Sequence, residues 1–399
     1  MKILRLIFPT SLLCLAVSVA PAEVEYVIDA SYSIETRVDE KGNFVCTSIS
    51  VPAFDKEVKE LGKQRDVKDY DILSLAVKRI SETDRKSVTA DLLVTNHTEA
   101  IAARETHSWS RAVPTDIFLN DVLPYACLDE TRDNWRADFR KRFAPMVADT
   151  KTLREAALII NQRIRGELKV EYNTKREKAC QSPYESMKQD MASCTGLSIL
   201  LCDVFRSVGI PARIVGTSWI HKPGNHTWVE FYDPETKQWH FTEYDPDKNG
   251  FDRGWLVADA ARAISGDPKH AVYATSWRWT GKSFPLPWDA DNQSVHAINV
   301  TERYLAYGKA TVEAAAGKLE LRIDFRDAGG NRVSREAEVL SGNTVIATGK
   351  TPGPTADANS FFTVHISRQS EHQVTFENGE TITIKNVAAD KQWLNIEGR

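Results

Sequence analysis

The chain has 399 residues, of which 42% are hydrophobic and 27% are charged, and its formal net charge is -4 at pH 7. This is the composition of an ordinary globular protein, and the length suggests roughly two or three domains. Nucleic-acid binding is not expected, because the chain has no surplus of basic residues with which to neutralise phosphates.

Residues 1–22 have the pattern of a secretory signal peptide. Lys2 and Arg5 give a basic start, an apolar run from Ile7 to Val19 follows, and Ala20 and Ala22 are small residues suited to cleavage. The apolar run is short for a membrane span, so a retained anchor is the less favoured alternative. We therefore expect a secreted or periplasmic protein that has no stable membrane span after the signal is removed.

Export would permit disulfides in the rest of the chain. Removal of the signal leaves five cysteines, which are Cys46, Cys127, Cys180, Cys194 and Cys202. Because this number is odd, at least one thiol stays unpaired. The sequence does not decide the pairing among Cys46, Cys127 and Cys180. No CxxC motif occurs, so a structural zinc site is not favoured, and no cofactor or metal is expected.

The first half of the chain reads as largely helical. Residues 23–114 form a mixed, mostly helical region, because a weakly strand-like start gives way to helical spacing after about Asp69. Further on, apolar residues at helical spacing predict a helix with one buried face: Leu153, Ala157, Ile160, Ile164 and Leu168.

The stretch SCTGLSILLCDVFRSVGIPAR predicts a helix from Cys194 to about Val208. Ser193 is a suitable N-cap, and Gly209 and the proline at 211 end the helix. Its two cysteines are eight positions apart, which is about 12 Å along a helix axis. A disulfide needs Cα atoms within roughly 7 Å of each other, so these two cysteines cannot pair within the helix.

The two cysteines of this helix have different expected roles. Cys202 lies among apolar residues and is expected to be a small buried hydrophobe. Cys194 lies in the first turn, where free backbone N–H groups and the helix dipole favour a thiolate, as a nucleophile requires. The alternatives for Cys194 are a buried structural cysteine and a disulfide with Cys180.

After the helix, the hydrophobic period changes to two, and the segments HTWVEFYD and QWHFTEYD flank a DPET turn. They predict an antiparallel hairpin and, with the preceding helix, an α+β fold. His226 begins the first strand of the hairpin. It lies opposite Asp245 if the turn pairs Tyr232 with Trp239, and opposite Glu243 if the turn is two residues shorter.

The helix signals fade from about residue 300. Residues 300–399 contain alternating segments separated by Gly, Asn and Asp turns, which predict a separate all-β domain with a sandwich-like fold.

Five features follow one another in a specific order: the cysteine-bearing helix, a GIPAR strand, an H-x-W-V-E strand, a W-x-F strand and an Asp-Pro pair. This order resembles the transglutaminase-like superfamily, most closely its secreted bacterial members. The similarity extends from about Thr115 to Trp255 and includes the flanking segments FLNDVLPYACLDETRDNWR and SPYESMKQDMASCTG. It implies a papain-like core, assigned to residues 115–295, in which a helix with the cysteine packs on an antiparallel sheet.

The resemblance also implies the roles of three residues. Cys194 matches the nucleophile, His226 matches the base, and Asp245 in the Asp-Pro pair matches the acid. Glu243 is the alternative acid, because it has the usual family spacing from the strand tryptophan. A tetrahedral oxyanion would be bound by the backbone N–H of Cys194 and a further donor, for which Gln181 is a candidate by residue type; polar side chains are, however, more often exposed.

We therefore expect a thiol enzyme that acts on carboxamide or peptide bonds of a protein or peptide, for which a cell-wall peptide is one candidate. A thioester on Cys194 would be released to water by a protease or amidase, or to an amine by an acyltransferase. The alternative is a catalytically inactive binding or scaffold protein of the cell envelope with the same fold.

Overall fold

The computed structural model describes residues 24–29, 32–38, 44–50, 52–81, 84–246, 250–368, 370–385 and 393–399. The predicted signal peptide, residues 1–22, lies outside the described residues. Within the described ranges, none of the helices has the length and apolar character needed to cross a bilayer.

The N-terminal region combines a small antiparallel sheet with a group of helices. The strands are β1 (Val24–Asp29), β2 (Tyr32–Val38) and β3 (Phe44–Ser50). The helices are α1 (Pro52–Gln64), α2 (Tyr70–Lys78), α3 (Ala90–Thr106) and α4 (Ser108–Arg111). Helices α1 and α2 pack against α3 around a core that includes Leu73 and Leu93.

The central region begins with helices and two short strands that pair in parallel. These elements are α5 (Thr115–Asp121), α6 (Arg136–Val147), α7 (Leu153–Leu168), β4 (Glu171–Tyr172), α8 (Pro183–Gln189), β5 (Met191–Ala192) and α9 (Cys194–Ser207). The predicted buried face of α7 is confirmed, because the five residues assigned to it from the sequence are all buried. Removing that face from water stabilises the fold, since buried apolar area contributes about 25 cal/mol per Å².

Helix α9 forms where the sequence predicts it. The side-chain oxygen of Ser193 accepts a hydrogen bond from the backbone N–H of Gly196 at 3.1 Å and so caps the helix. Gly209 follows the helix with φ of +90°, and a Cβ there would lie 3.0 Å from the carbonyl oxygen of Ala103, so this position requires glycine. Cys202 is fully buried within the helix, which confirms its role as a small hydrophobe.

A five-stranded antiparallel sheet lies against α9, in the order β10-β9-β6-β7-β8. Its strands are β6 (Ala212–Ser218), β7 (Asn225–Asp233), β8 (Gln238–Thr242), β9 (Tyr273–Ser276) and β10 (His296–Asn299), and helix α10 (Leu256–Ala260) lies between β8 and β9 in sequence. The hairpin of β7 and β8 pairs Tyr232 with Trp239, which is the first of the two predicted registers.

Residues 301–315, where strand signals were expected to begin, form helix α11 (Thr301–Ala315) instead. Tyr304 of this helix packs against Trp228 and Phe241 of the sheet, and a Cβ on Gly308 would overlap Ala261 next to α10. These tertiary contacts stabilise a helix whose local sequence signal is weak, because packing of one face provides most helical stability.

The remaining chain forms two β-sheets. One has the order β14-β11-β17 and the other the order β13-β12-β15-β16. The strands are β11 (Leu319–Phe325), β12 (Glu336–Ser341), β13 (Thr344–Lys350), β14 (Phe362–Ile366), β15 (His372–Phe376), β16 (Thr381–Ile384) and β17 (Trp393–Gly398). Both sheets contribute to a separate apolar core that includes Ile323 and Val339. The predicted α+β architecture is confirmed.

Candidate active site

Cys194 is the first residue of α9 and is partly exposed. The side chain of the preceding residue, Ser193, caps the helix and fixes its first turn. The hydroxyl of Ser193 also donates to the carbonyl oxygen of Ala179 at 2.5 Å. Cys180 and Cys194 are both free thiols, so the alternative disulfide between them is not formed. Cys127 is also free, while the side chain of Cys46 lies outside the described part of the structure.

His226 lies at the start of β7, across from Thr217 of β6, and its side chain is buried. The rings of Trp255 and Trp219 flank it, with centroids 4.6 Å and 6.2 Å from the imidazole centroid. The aromatic surroundings restrict the ring and limit the access of water to it.

Glu243, and not Asp245, is the acid that contacts His226. The distance between His226 Nε2 and Glu243 Oε1 is 2.7 Å. The carboxylate of Asp245 is 73% exposed and pairs with Arg165 Nη1 at 3.2 Å. The expected contact between Asp245 and His226 is therefore not formed. The alternative acid, Glu243, makes this contact instead.

The end of β8 explains why the observed register does not bring Asp245 to His226. Pairing that continued past β8 would bring residues 226 and 245 opposite each other, but β8 ends at Thr242. Beyond this point, Asn161 Nδ2 of α7 donates to the carbonyl oxygen of Glu243 at 2.8 Å. Glu243 is then the diagonal neighbour of His226 on the same face, a position from which a long side chain can reach across.

A third acidic residue, Asp357, enters the site from the connection between β13 and β14. Its Oδ2 lies 3.6 Å from His226 Nδ1. Cys194 Sγ, a ring nitrogen of His226 and a carboxylate oxygen of Asp357 all lie within 4.8 Å of one another. Because Glu243 occupies Nε2, the nitrogen that remains for the thiol is Nδ1.

The charges around His226 favour its protonated form. Burial alone lowers the pKa of His226, but the charge of Asp357 and the contacts with Asp357, Cys194 and Glu243 outweigh burial and raise this pKa well above its ordinary value. Burial raises the pKa of Glu243, and the contact with His226 offsets this only in part. Burial also raises the pKa of Asp357, but His226 and the amides of Asn359 outweigh it, so that this pKa is lowered.

Gln181, the candidate oxyanion donor, is fully buried rather than exposed. Its Nε2 donates to the carbonyl oxygen of Met191 at 3.2 Å, so the amide lies beside the segment that leads into α9. Its Oε1 has no hydrogen-bond partner among the described residues. One N–H of the amide remains for a ligand, and the role of Gln181 stays a prediction.

Asp357 and Trp255 are site residues that the sequence pattern does not identify. Asp357 lies in a turn-rich segment, TPGPTADANS, that has no motif and belongs to a different sheet system from Cys194 and His226. Trp255 directly precedes α10 and has no strand or motif signal that relates it to the histidine.

Residues 141–260 match the family model of the transglutaminase-like superfamily. The chain has a transglutaminase-like core. Members of this superfamily are usually cysteine hydrolases or acyltransferases. The matched segment contains Cys194, His226 and Glu243, whereas Asp357 lies outside the transglutaminase-like core.

Solved structures with similarity to the chain include a Cytophaga hutchinsonii protein proposed to be a cysteine protease, with 18% identity over 37% of this chain and 48% of that chain, at a TM-score of 0.28. The periplasmic domain of TgpA from Pseudomonas aeruginosa has 18% identity over 27% of this chain and 44% of that domain, at a TM-score of 0.23. Red sea bream transglutaminase has 8% identity over 62% of this chain and 57% of that chain, at a TM-score of 0.27. The chain thus spans about half the length of these structures. A search of curated proteins found no match.

Proposed function

We propose that the chain is an exported thiol enzyme that acts on carboxamide or peptide bonds through Cys194, His226 and Glu243. The observation that carries the proposal is the convergence of these residues from a helix start, a strand start and a strand end. His226 bonds to Glu243 at 2.7 Å through one nitrogen and faces Cys194 with the other edge of its ring. A nucleophile, a base and a group that orients the base are the parts that covalent catalysis requires.

In the first half of the reaction, the Cys194 thiolate attacks the carbonyl carbon and a C–S bond forms. The negative charge on the carbonyl oxygen would be stabilised by the backbone N–H of Cys194 at the start of α9, with Gln181 as the candidate second donor. Collapse of this intermediate breaks the C–N bond, and the departing amine takes a proton from His226. A thioester remains on Cys194, and Glu243 keeps the ring of His226 in position.

In the second half, water or an amine attacks the thioester and gives a proton to His226 as the thiolate leaves. With water the enzyme is a protease or amidase, and with an amine it is an acyltransferase. The partners we propose are proteins or peptides, with cell-wall peptide as one candidate substrate. Export rests on the signal-like residues 1–22.

Alkylation of Cys194 tests the proposal without knowledge of the substrate. At pH 6, iodoacetamide should label Cys194 in the folded protein at least about tenfold faster than in the same chain unfolded in urea, because only the folded site stabilises the thiolate. Mass spectrometry should place the adduct on Cys194 before any of the three buried cysteines. Equal or slower labelling in the folded protein would contradict an activated thiol.

One observation favours the alternative of an inactive binding or scaffold protein. Asp357 Oδ2 lies 3.6 Å from His226 Nδ1, so a residue from outside the matched segment occupies the side of the ring that would serve Cys194. Trapping distinguishes the two functions. An enzyme should form a thioester adduct on Cys194 with an activated peptide ester and should release it on standing, whereas a scaffold protein would form none.

A further inference from the structure

We propose that Cys194, His226 and Asp357 form a binding site for a zinc-type divalent cation, which joins the two β-sheets of residues 319–399, here called the β-domain, to the transglutaminase-like core and holds the thiol in an inactive form. The two residues of the core provide a sulfur and a nitrogen, and the β-domain provides a carboxylate oxygen. This set of donors suits zinc, which binds thiolate, imidazole and carboxylate, and does not suit calcium or magnesium, which prefer oxygen.

Two polar atoms that face one another in this cluster have no other partner. His226 Nδ1 and Asp357 Oδ2 are both buried and form an ion pair at 3.6 Å, but this distance is too long for a hydrogen bond, and neither atom has a hydrogen-bond partner among the described residues. Buried polar atoms of this kind are costly unless something binds them. The 3.6 Å between these atoms is close to the roughly 3.4 Å that two ligands at 2.0–2.1 Å subtend at a tetrahedral ion.

The other nitrogen of His226 has the partner that a metal-binding histidine normally has. Glu243 holds Nε2 at 2.7 Å, which fixes the ring so that Nδ1 points into the cluster. A carboxylate behind the imidazole is the usual outer support of zinc-binding histidines and makes the ring a better ligand. Glu243 would thus orient His226 for catalysis when no cation is bound, and it would orient the same ring as a ligand when a cation is bound.

Asp357 is held in place by contacts within the β-domain. Arg332 donates to the backbone carbonyl oxygens of Asp357 and Ser360 at 2.8 Å and 2.9 Å. The other oxygen of the carboxylate, Oδ1, accepts from the backbone N–H of Asn359 at 2.8 Å. Only Oδ2 is left to face His226, so the carboxylate is already oriented as a ligand.

The same segment, residues 351–361, also contacts the core. Asn359 Nδ2 donates to the carbonyl oxygen of Asn225 at 3.2 Å, and Arg165 Nη2 donates to Thr355 Oγ1 at 2.9 Å. These few polar contacts bring the carboxylate to the site, and a cation shared by both parts of the chain would strengthen the contact.

Charge also favours a cation here. Asp357 contributes a carboxylate to the cluster, and the sulfur of Cys194 binds such a cation as a thiolate, so two anionic donors would face the cation. Binding releases to solvent the protons that the thiol and Nδ1 of His226 carry, because the ligands of such a cation are the thiolate and the neutral imidazole. The thiolate is then no longer free to attack a carbonyl carbon. This consequence for activity rests on the proposed function, while the binding itself does not.

Cobalt provides a direct test on the full chain, because Co²⁺ bound to a thiolate has an intense near-ultraviolet charge-transfer absorption. We expect one Co²⁺ to bind with this absorption, Zn²⁺ to displace it, and Cys194→Ser to abolish it. Calorimetry should show that Asp357→Asn weakens Zn²⁺ binding about tenfold or more, because loss of even an outer supporting group costs about that much and Asp357 is a direct ligand. Asp245→Asn, at a neighbouring exposed carboxylate, is the matched control and should bind as the unmodified protein does.

Absence of the thiolate absorption, or equal Zn²⁺ affinity of Asp357→Asn and the unmodified protein, would overturn the site. A measurement without substitution gives the same answer: Zn²⁺ should slow iodoacetamide labelling of Cys194, and unchanged labelling at saturating Zn²⁺ would contradict the site. Labelling in EDTA separates the two proposals. If Cys194 is labelled slowly in EDTA but the Co²⁺ spectrum is present, the proposed enzyme function is wrong and the cation site stands. If Cys194 is labelled rapidly in EDTA but the Co²⁺ spectrum is absent, only the cation site is wrong.

Discussion

Glu243 contacts the Nε2 atom of His226 at 2.7 Å, and this contact leaves Nδ1 as the only ring nitrogen that can serve Cys194. The partner of one ring nitrogen determines which tautomer and orientation the ring adopts. Of the two carboxylates near the end of β8, Glu243, which is diagonal to the histidine, contacts the ring, while Asp245 pairs with Arg165 at the surface.

This relationship predicts different effects for two similar substitutions. Glu243→Gln should slow iodoacetamide labelling of Cys194 at pH 7 by about tenfold or more, because the amide no longer stabilises the imidazolium that accompanies the thiolate. Asp245→Asn should change the labelling rate less than about twofold, because exposed ion pairs contribute little. The prediction is wrong if Asp245→Asn is the slower of the two variants.

The two cysteines of α9 should respond to alanine in opposite ways. Cys202→Ala should lower the free energy of unfolding by about 1 kcal/mol, the scale of removing one methyl-sized group from a core. It should leave the labelling of Cys194 unchanged. Cys194→Ala should change stability by less than about 0.5 kcal/mol, as a partly exposed residue would, and should abolish adduct formation. Urea unfolding and mass spectrometry of the same samples measure both effects.

The charge of Asp357 predicts a pH effect on His226. Because the pKa of His226 is raised in the folded protein, its contribution to stability is complete below its unfolded pKa of about 6.5 and is lost as the pH rises through the folded value. Asp357→Asn should remove the leading cause of the increase, so the pKa of His226 should fall. Titration of the His226 ring proton by NMR measures this change.

The pKa of Asp357 is lowered, so the sign for this group is opposite. Its contribution is present above its unfolded pKa of about 3.9 and is lost as the pH falls through the folded value. The stability difference between the unmodified protein and Asp357→Asn should therefore decrease at both ends of the pH range. An unchanged NMR midpoint for His226 in the variant would show that the two side chains do not interact.

Local signals were sufficient to predict α9, its cysteines and the strand with His226. A capped helix with a glycine and a proline after it, followed by alternating strands, needs no distant information. The hairpin register was also among the alternatives, since a short turn limits the pairing of Tyr232. The sequence did not decide between Glu243 and Asp245 as the partner of His226, because the pairing ends at Thr242 and the next residue is bound instead by Asn161 of a separate helix.

Distant parts of the chain supply what sequence patterns miss. Asp357 reaches His226 because the connection between β13 and β14 lies against the core, far from His226 in sequence. Helix α11 was missed for a similar reason. The packing of Tyr304 against Trp228 and Phe241 stabilises the helix, and these residues are distant in sequence. Tertiary contacts of this kind override local propensity.

Asn161 should act as a positioning residue for the acid. Its Nδ2 donates to the carbonyl oxygen of Glu243 at 2.8 Å, and its Oδ1 accepts from Thr242 Oγ1 at 2.5 Å. Asn161→Ala leaves both groups without this partner, so it should lower the free energy of unfolding by about 2–4 kcal/mol. It should also slow labelling of Cys194 by about fivefold or more at a temperature where the variant is folded, because Glu243 is no longer held toward His226.

Thr242→Val is the matched control for Asn161→Ala, because it removes only the hydrogen bond to Asn161 Oδ1 and leaves the one to the Glu243 carbonyl oxygen. This variant should lose about 1–2 kcal/mol of stability but should label at nearly the normal rate. If Asn161 stabilises the fold without positioning the acid, both variants will lose stability and neither will show slower labelling. If Cys194 is instead labelled slowly in Asn161→Ala and at the normal rate in Thr242→Val, the slower labelling results from loss of the hydrogen bond to the Glu243 carbonyl oxygen, just after β8.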